Sequence, residues 1–289
     1  MEVVWPSDFT ASLLGFIPQN IFLVIFSAIL IIVQALYLNH LVIKHKLSRA
    51  LSTIPAAIFV LYAVTSLEPV IFHPALLANL FAMLSIGSLF RIYKRHLPIA
   101  SIFNSGLYMT IAMLIYPPYF VFLILLVLGL VSLRNLSLKE VLQLSLGCMA
   151  PLYFAAVYFF YTGSLALPLE HFSNNLNLPW SGVSLGLVFL KVGIVLLLIV
   201  TLLFYSANAM KKKKFDAIKK IELSYWMLFL TLFSLFFTSQ VSDSHLMVAS
   251  IPVAIIGGLY MESKDNKIYK EFLFILLLGG LIAFQLGIV

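Results

Sequence analysis

Charge is the scarcest property of this chain. Of its 289 residues only 10% are Asp, Glu, Lys or Arg, and the acidic residues number 11. A soluble domain of this length needs far more charge to keep its surface in water, and 62% of these residues are hydrophobic. The solvent for most of the chain is therefore expected to be lipid. Cysteine is nearly absent: a single Cys148, inside an apolar run, excludes an internal disulfide and reads as a small buried residue rather than a catalytic thiol. Gly/Ser-rich linkers, low-complexity tracts and convincing internal repeats are lacking, which leaves an inverted-repeat transporter without sequence support. A basic leader is lacking too, since the start, Met1 to Asp8, carries Glu2 and Asp8 and no cation; no cleavable signal is expected. There is no phosphate-binding loop, dinucleotide fingerprint, nucleophile elbow or His-x-x-x-His pair, so neither cofactor nor metal is expected.

What the chain has in abundance is long apolar segments. Ten can be counted, over about 21–38, 51–67, 75–90, 97–116, 118–133, 141–162, 183–206, 223–239, 245–261 and 272–289. The fold class expected is all-α: a polytopic transmembrane bundle of about ten helices forming one integral membrane domain over 1–289. The links between runs alternate in chemistry. Lys44, Lys46 and Arg49 follow run 1; Arg91, Lys94 and Arg95 follow run 3; Arg134 and Lys139 follow run 5. Lys211 to Lys214, Lys219 and Lys220 follow run 7, and Lys264, Lys267 and Lys270 follow run 9. The even links carry no Lys or Arg. The positive-inside rule puts the odd links in the cytoplasm of a bacterial inner membrane and both termini in the periplasm. The net charge of +7 is accounted for in this way, and nucleic acid is not expected as a partner. Residues 1–20 are expected as a periplasmic interfacial segment, 163–182 as the longest periplasmic loop, and 207–222 as a basic cytoplasmic loop that attracts anionic lipid. Ser137 with Glu140 three residues later reads as a helix cap, and Asn104-Ser105-Gly106 as small residues for close helix packing.

The candidate chemistry gathers on the periplasmic side. Lys191, about eight residues into run 7, lies about 12 Å below the outer end at 1.5 Å per residue. It reads either as a snorkelling cation or as a ligand for a lipid phosphate. Glu170-His171 and Asp243-Ser-His245 each set a carboxylate beside an imidazole, the pairing that general acid–base work uses, and Glu68 stands near His73 after run 2. Each also has a plain reading as a solvated loop end. Tyr116-Pro-Pro118 reads as a tight outer turn, and Trp5, Tyr116, Tyr119, Tyr161 and Trp180 as interfacial belt.

Two resemblances rest on short motifs. His73-Pro-Ala-Leu-Leu-Ala-Asn79, Phe103-Asn-Ser-Gly106 with Tyr116-Pro-Pro118, and Leu146-Gly-Cys-Met-Ala-Pro151 resemble segments of a family of Bacteroidetes polytopic membrane proteins with no assigned activity. This resemblance implies an inner-membrane location. Arg91 to Leu133, and His245-Leu-Met-Val-Ala-Ser-Ile-Pro252, are similar to the membrane core of GT-C glycosyltransferases, which use polyprenyl-phosphate sugars. That likeness implies an envelope-biogenesis protein acting on or binding such a sugar at the periplasmic face. Lys191 would hold the phosphate, Glu68, Glu170 or Asp243 would act as base, and His171 or His245 would assist. The alternative is a non-catalytic membrane subunit of an envelope assembly or protein-export complex, with membrane lipids and other membrane subunits as partners. A transporter is the weaker third reading.

Overall fold

In a computed structural model, the structure describes residues 21–48, 52–66, 72–134, 137–164, 166–175, 214–234, 237 and 243–261. Among these residues there are nine α-helices, two 3-10 segments and no strand. The order is α1 (Ile21–Lys44), α2 (Ile54–Ser66), α3 (Pro74–Phe90), α4 (Ile99–Ile115), a 3-10 turn (Pro117–Val121) and α5 (Phe122–Leu133). Then come α6 (Leu138–Tyr161), α7 (Ala166–Asn175), α8 (Phe215–Ser234), a second 3-10 turn (Asp243–Ala249) and α9 (Ser250–Met261). Two segments, Leu23–Lys44 and Leu138–Tyr161, are long and apolar enough to cross a membrane. The helices over 54–64, 74–90, 99–115 and 247–261 are apolar but shorter.

Local chemistry accounts for several boundaries. Ser137 caps α6, its hydroxyl accepting the Glu140 N–H at 3.4 Å. Glu140 does not reach back to close a capping box; its carboxylate meets Arg134 Nε at 2.8 Å instead. His73 caps α3 in the same way, Nδ1 accepting from the Ala75 N–H at 3.1 Å, with Pro74 in the first turn where a missing N–H costs nothing. At the end of α1 the Leu47 N–H returns to the Val42 carbonyl and Lys46 takes a left-handed φ of 53°. Leu47 is buried beneath that cap.

One segment differs from the sequence expectation: the stretch 163–182, expected as a loop, contains the helix α7. In the basic segment 207–222, where Asp216 and Glu222 fit a short amphipathic helix, α8 starts at Phe215. In α8 the polar residues Asp216 and Lys220 are four apart and pair at 2.7 Å, so the helix extends through them without stranding a charge.

Packing groups the connections into two ends. At one end Lys220 of α8 bonds His45, which follows α1, at 3.2 Å and lies over the ring of Tyr93, which follows α3. The Arg134 guanidinium, after α5, donates to the Arg95 carbonyl, after α3. At the other end the start of α3, the helix α7, the 3-10 turn after α4, the end of α8 and the 243–249 turn come together. The odd, basic links thus share one end of the bundle among the described residues. Helices α4 and α6 meet backbone to backbone. A Cβ on Gly106 would stand 2.7 Å from the Leu144 carbonyl oxygen, and one on Gly147 would run into the Phe103 carbonyl. Glycine at both positions lets the two backbones touch.

Candidate functional site

The residues with chemistry collect at the non-basic end, around Tyr116 and Tyr119. Tyr116 ends α4 because Pro117 and Pro118 follow it, and an α conformation before proline is disfavoured. The tight 3-10 turn brings both tyrosines into the bundle, and neither is exposed as an interfacial belt residue would be. Tyr116 packs edge-on to His73 at 5.7 Å and to Tyr119 at 6.3 Å between ring centroids.

His245 is fully buried, and both ring nitrogens are engaged. Its Nδ1 lies 3.0 Å from the Tyr116 hydroxyl and its Nε2 lies 3.1 Å from Ser234 Oγ. The direction of this chain follows from its far end. Ser234 spends its one hydroxyl proton on the Thr231 carbonyl at 2.7 Å, so its oxygen accepts from His245 Nε2–H. His245 is then the neutral Nε2–H tautomer, and its Nδ1 accepts from Tyr116 O–H. The chain runs one way, from Tyr116 through His245 and Ser234 to the backbone of α8.

A second buried chain lies beside the first. The Tyr119 hydroxyl donates to Asn79 Oδ1 at 3.0 Å, and Asn79 Nδ2 donates to Gln34 Oε1 at 3.0 Å and to Ser250 Oγ at 3.0 Å. Gln34 Nε2 then donates to the Leu76 carbonyl at 2.8 Å. Both amide protons and the carbonyl of Asn79 are used, in a site with no exposure. These bonds tie α1, α3, α9 and the 3-10 turn together inside an apolar core, where an unpaired amide would be costly.

The sequence candidates are distributed unevenly over this end. His171 is buried, with 1% of its surface exposed, and hydrogen-bonds the backbone of Leu114 in α4; burial pushes its pKa down to about 4. Burial likewise holds His73 at about 4. Glu170 is exposed. Successive helical residues point about 100° apart, so Glu170 and His171 face different surroundings. Asp243 lies on the 3-10 turn, and only its backbone is described. Glu68 and Lys191 lie outside the described residues, as do Glu2, Asp8 and Trp180. The structure therefore brings His73 and His245 against Tyr116 and sets His171 against Leu114, two residues before Tyr116 in the chain. Gln34, Asn79, Ser234 and Ser250 were missed as members of this end, although polar side chains inside apolar runs were the available signal. Groups of three His, Cys, Asp or Glu able to hold a metal do not occur among the described residues.

Comparisons of the chain with protein-family models, with curated proteins and with solved structures found no match. The class defined by the described residues is an all-helical protein, with two helices among them able to span a membrane by length and composition.

Proposed function

We propose that this chain is a multi-pass protein of the bacterial inner membrane, working as a non-catalytic subunit of an envelope assembly or export complex. The observation that carries the reading is the placement of His245. A general base needs a nitrogen within hydrogen-bond reach of its substrate. Here both nitrogens are engaged inside the protein, and the ring has no exposed surface. His245 is better suited to holding the end of α8 against the turn after α4 than to proton transfer with a substrate. The outward side chains of α6, among them Leu142, Leu146, Met149, Tyr153 and Val157, recur at helical spacing and supply an apolar face for lipid or for a second membrane protein.

One observation favours a second reading. His73, His171 and His245 all gather at the end where Lys191 is expected, which suits an outer-face site for a polyprenyl-phosphate-linked sugar. A single strain series separates the two. If the chain is a non-catalytic subunit, Glu170→Ala, His171→Gln and Lys191→Ala leave envelope glycan composition at the parent level, while deletion of the whole chain disturbs the envelope. Altered glycans in the Lys191→Ala strain, with the protein still at normal level in the membrane, would replace this reading by the phosphate-binding one.

A further inference from the structure

At the opposite, basic end, a groove of about 600 Å³ opens between the α3–α4 connection and the C-terminal end of α5, lined by Lys94, Arg95, His96, Leu133 and Arg134. We propose that this groove is a binding site for a phosphate-bearing anion, and that its occupant is the headgroup of an anionic phospholipid of the cytoplasmic leaflet. This site is independent of the chemistry at the histidine end.

Three features distinguish the groove from a run of solvated cations. First, Arg134 is fixed. Its Nε is paired with Glu140 at 2.8 Å and an Nη donates to the Arg95 carbonyl, so the guanidinium is already ordered when an anion arrives. Second, the backbone at Lys94 is left-handed, with a φ of 55°. Lys94 is the third residue of a turn closed by the Arg95 N–H on the Ile92 carbonyl at 3.2 Å, a position that glycine or asparagine fills without strain. Lys46 shares this conformation, but there the helix cap and the buried Leu47 account for it. At Lys94 no such cap operates, and its ammonium stands 5.5 Å from the Tyr93 ring centre, at the rim of the groove. Third, the walls are amphipathic. Leu133 is a buried wall residue, while Leu97, next to His96 in the chain, is 77% exposed and Leu138, at the start of α6, is 78% exposed. Val127 and Val131 continue an exposed apolar line along α5. A soluble phosphate has no use for that line; an acyl chain attached to the phosphate would lie along it.

The test uses the full chain in nanodiscs of phosphatidylcholine alone and of phosphatidylcholine doped with phosphatidylglycerol, with retained lipid measured by native mass spectrometry. The parent is expected to retain phosphatidylglycerol in a salt-sensitive manner. The Lys94→Gln/Arg95→Gln/Arg134→Gln variant should retain it about ten-fold less or worse, given the attraction that each basic residue contributes. Lys44→Gln/Lys46→Gln, which removes two exposed cations at the end of α1 that do not line the groove, should retain it as the parent does. Lys94→Gly guards against misfolding: it relieves the left-handed residue, so Tm should not fall, yet retention should weaken several-fold. Excess inorganic phosphate separates the sources, because retention that survives it assigns the lipid and full displacement assigns any phosphate ester. Parent-level retention in both the triple variant and Lys94→Gly overturns the proposal, as does equal loss in the Lys44→Gln/Lys46→Gln variant.

Discussion

Asn79 and His245 show what single residues contribute. Each is buried, and each satisfies the hydrogen-bonding needs of several partners. Replacing Asn79 by Leu strands the Tyr119 hydroxyl, the Gln34 carbonyl and Ser250 together. At about 1–3 kcal/mol for each buried group left unpaired, the loss should be large enough to unfold a marginal protein. Thermal unfolding in detergent checks this, and a Tm within a degree or two of the parent would mean that the network contributes little. Tyr116→Phe removes one donor and leaves His245 Nδ1 without it, so a smaller loss of about 1–2 kcal/mol is expected. The histidines also impose a pH dependence. His45 is held at about 4 by burial first and then by Lys220 and Lys44, with Asp216 opposing; burial also holds His73 and His171 at about 4. Unfolded histidine titrates near 6.5, so between these values the unfolded chain binds more protons than the folded one. The stability tied to these neutral rings is fully present above about pH 6.5 and is lost as pH falls towards about 4. Tm measured from pH 7.5 to 4.5 should decline, and His45→Gln should flatten part of that decline.

At the scale of elements, the α4–α6 contact depends on glycine. The Gly147 position faces the Phe103 carbonyl and Gly106 faces the Leu144 carbonyl, so the obstruction in both cases is backbone, which cannot rotate away. Gly147→Ala should therefore push the helices apart and cost on the order of 1–3 kcal/mol, as overpacking of a close-packed site does. A lower Tm and a broader size-exclusion profile are the readouts. Gly163 has a φ of 70° with open space around it, so alanine there is penalised by conformation alone. The small-residue segment Asn104-Ser105-Gly106 was legible as a packing site because only a close approach gives such a run a purpose. Its partner, Gly147 on α6, was not, since nothing local pairs two glycines in separate runs.

For the whole molecule, the contacts gather His45, Tyr93, Arg95, Arg134 and Lys220 at one end and His73, Tyr116, Ser234 and His245 at the other. If the bundle crosses the inner membrane as proposed, reporter fusions should alternate. Fluorescent-protein fusions after residues 46, 94 and 214 should be bright, and alkaline phosphatase should be active when fused within 163–182. Active phosphatase at residue 94 would reverse the orientation and move the phosphate groove to the outer leaflet.

Sequence alone determined the helical class, the Ser137 cap, the small-residue contact and the segregation of cations into alternate links. All of these rest on local chemistry or on periodicity that a few neighbouring residues express. The tertiary structure decided which polar residues meet. Asn79 joins Gln34 across 45 residues and Ser250 across 171, and Tyr116 joins His245 across 129. Apolar helices of similar composition can pack in many orders, and no local pattern ranks them. The sequence pairing of Glu170 with His171 failed to anticipate their surroundings for the same reason. Adjacency along a helix sends neighbours to different faces, and packing alone determined that His171 would be buried against Leu114 while Glu170 stayed exposed.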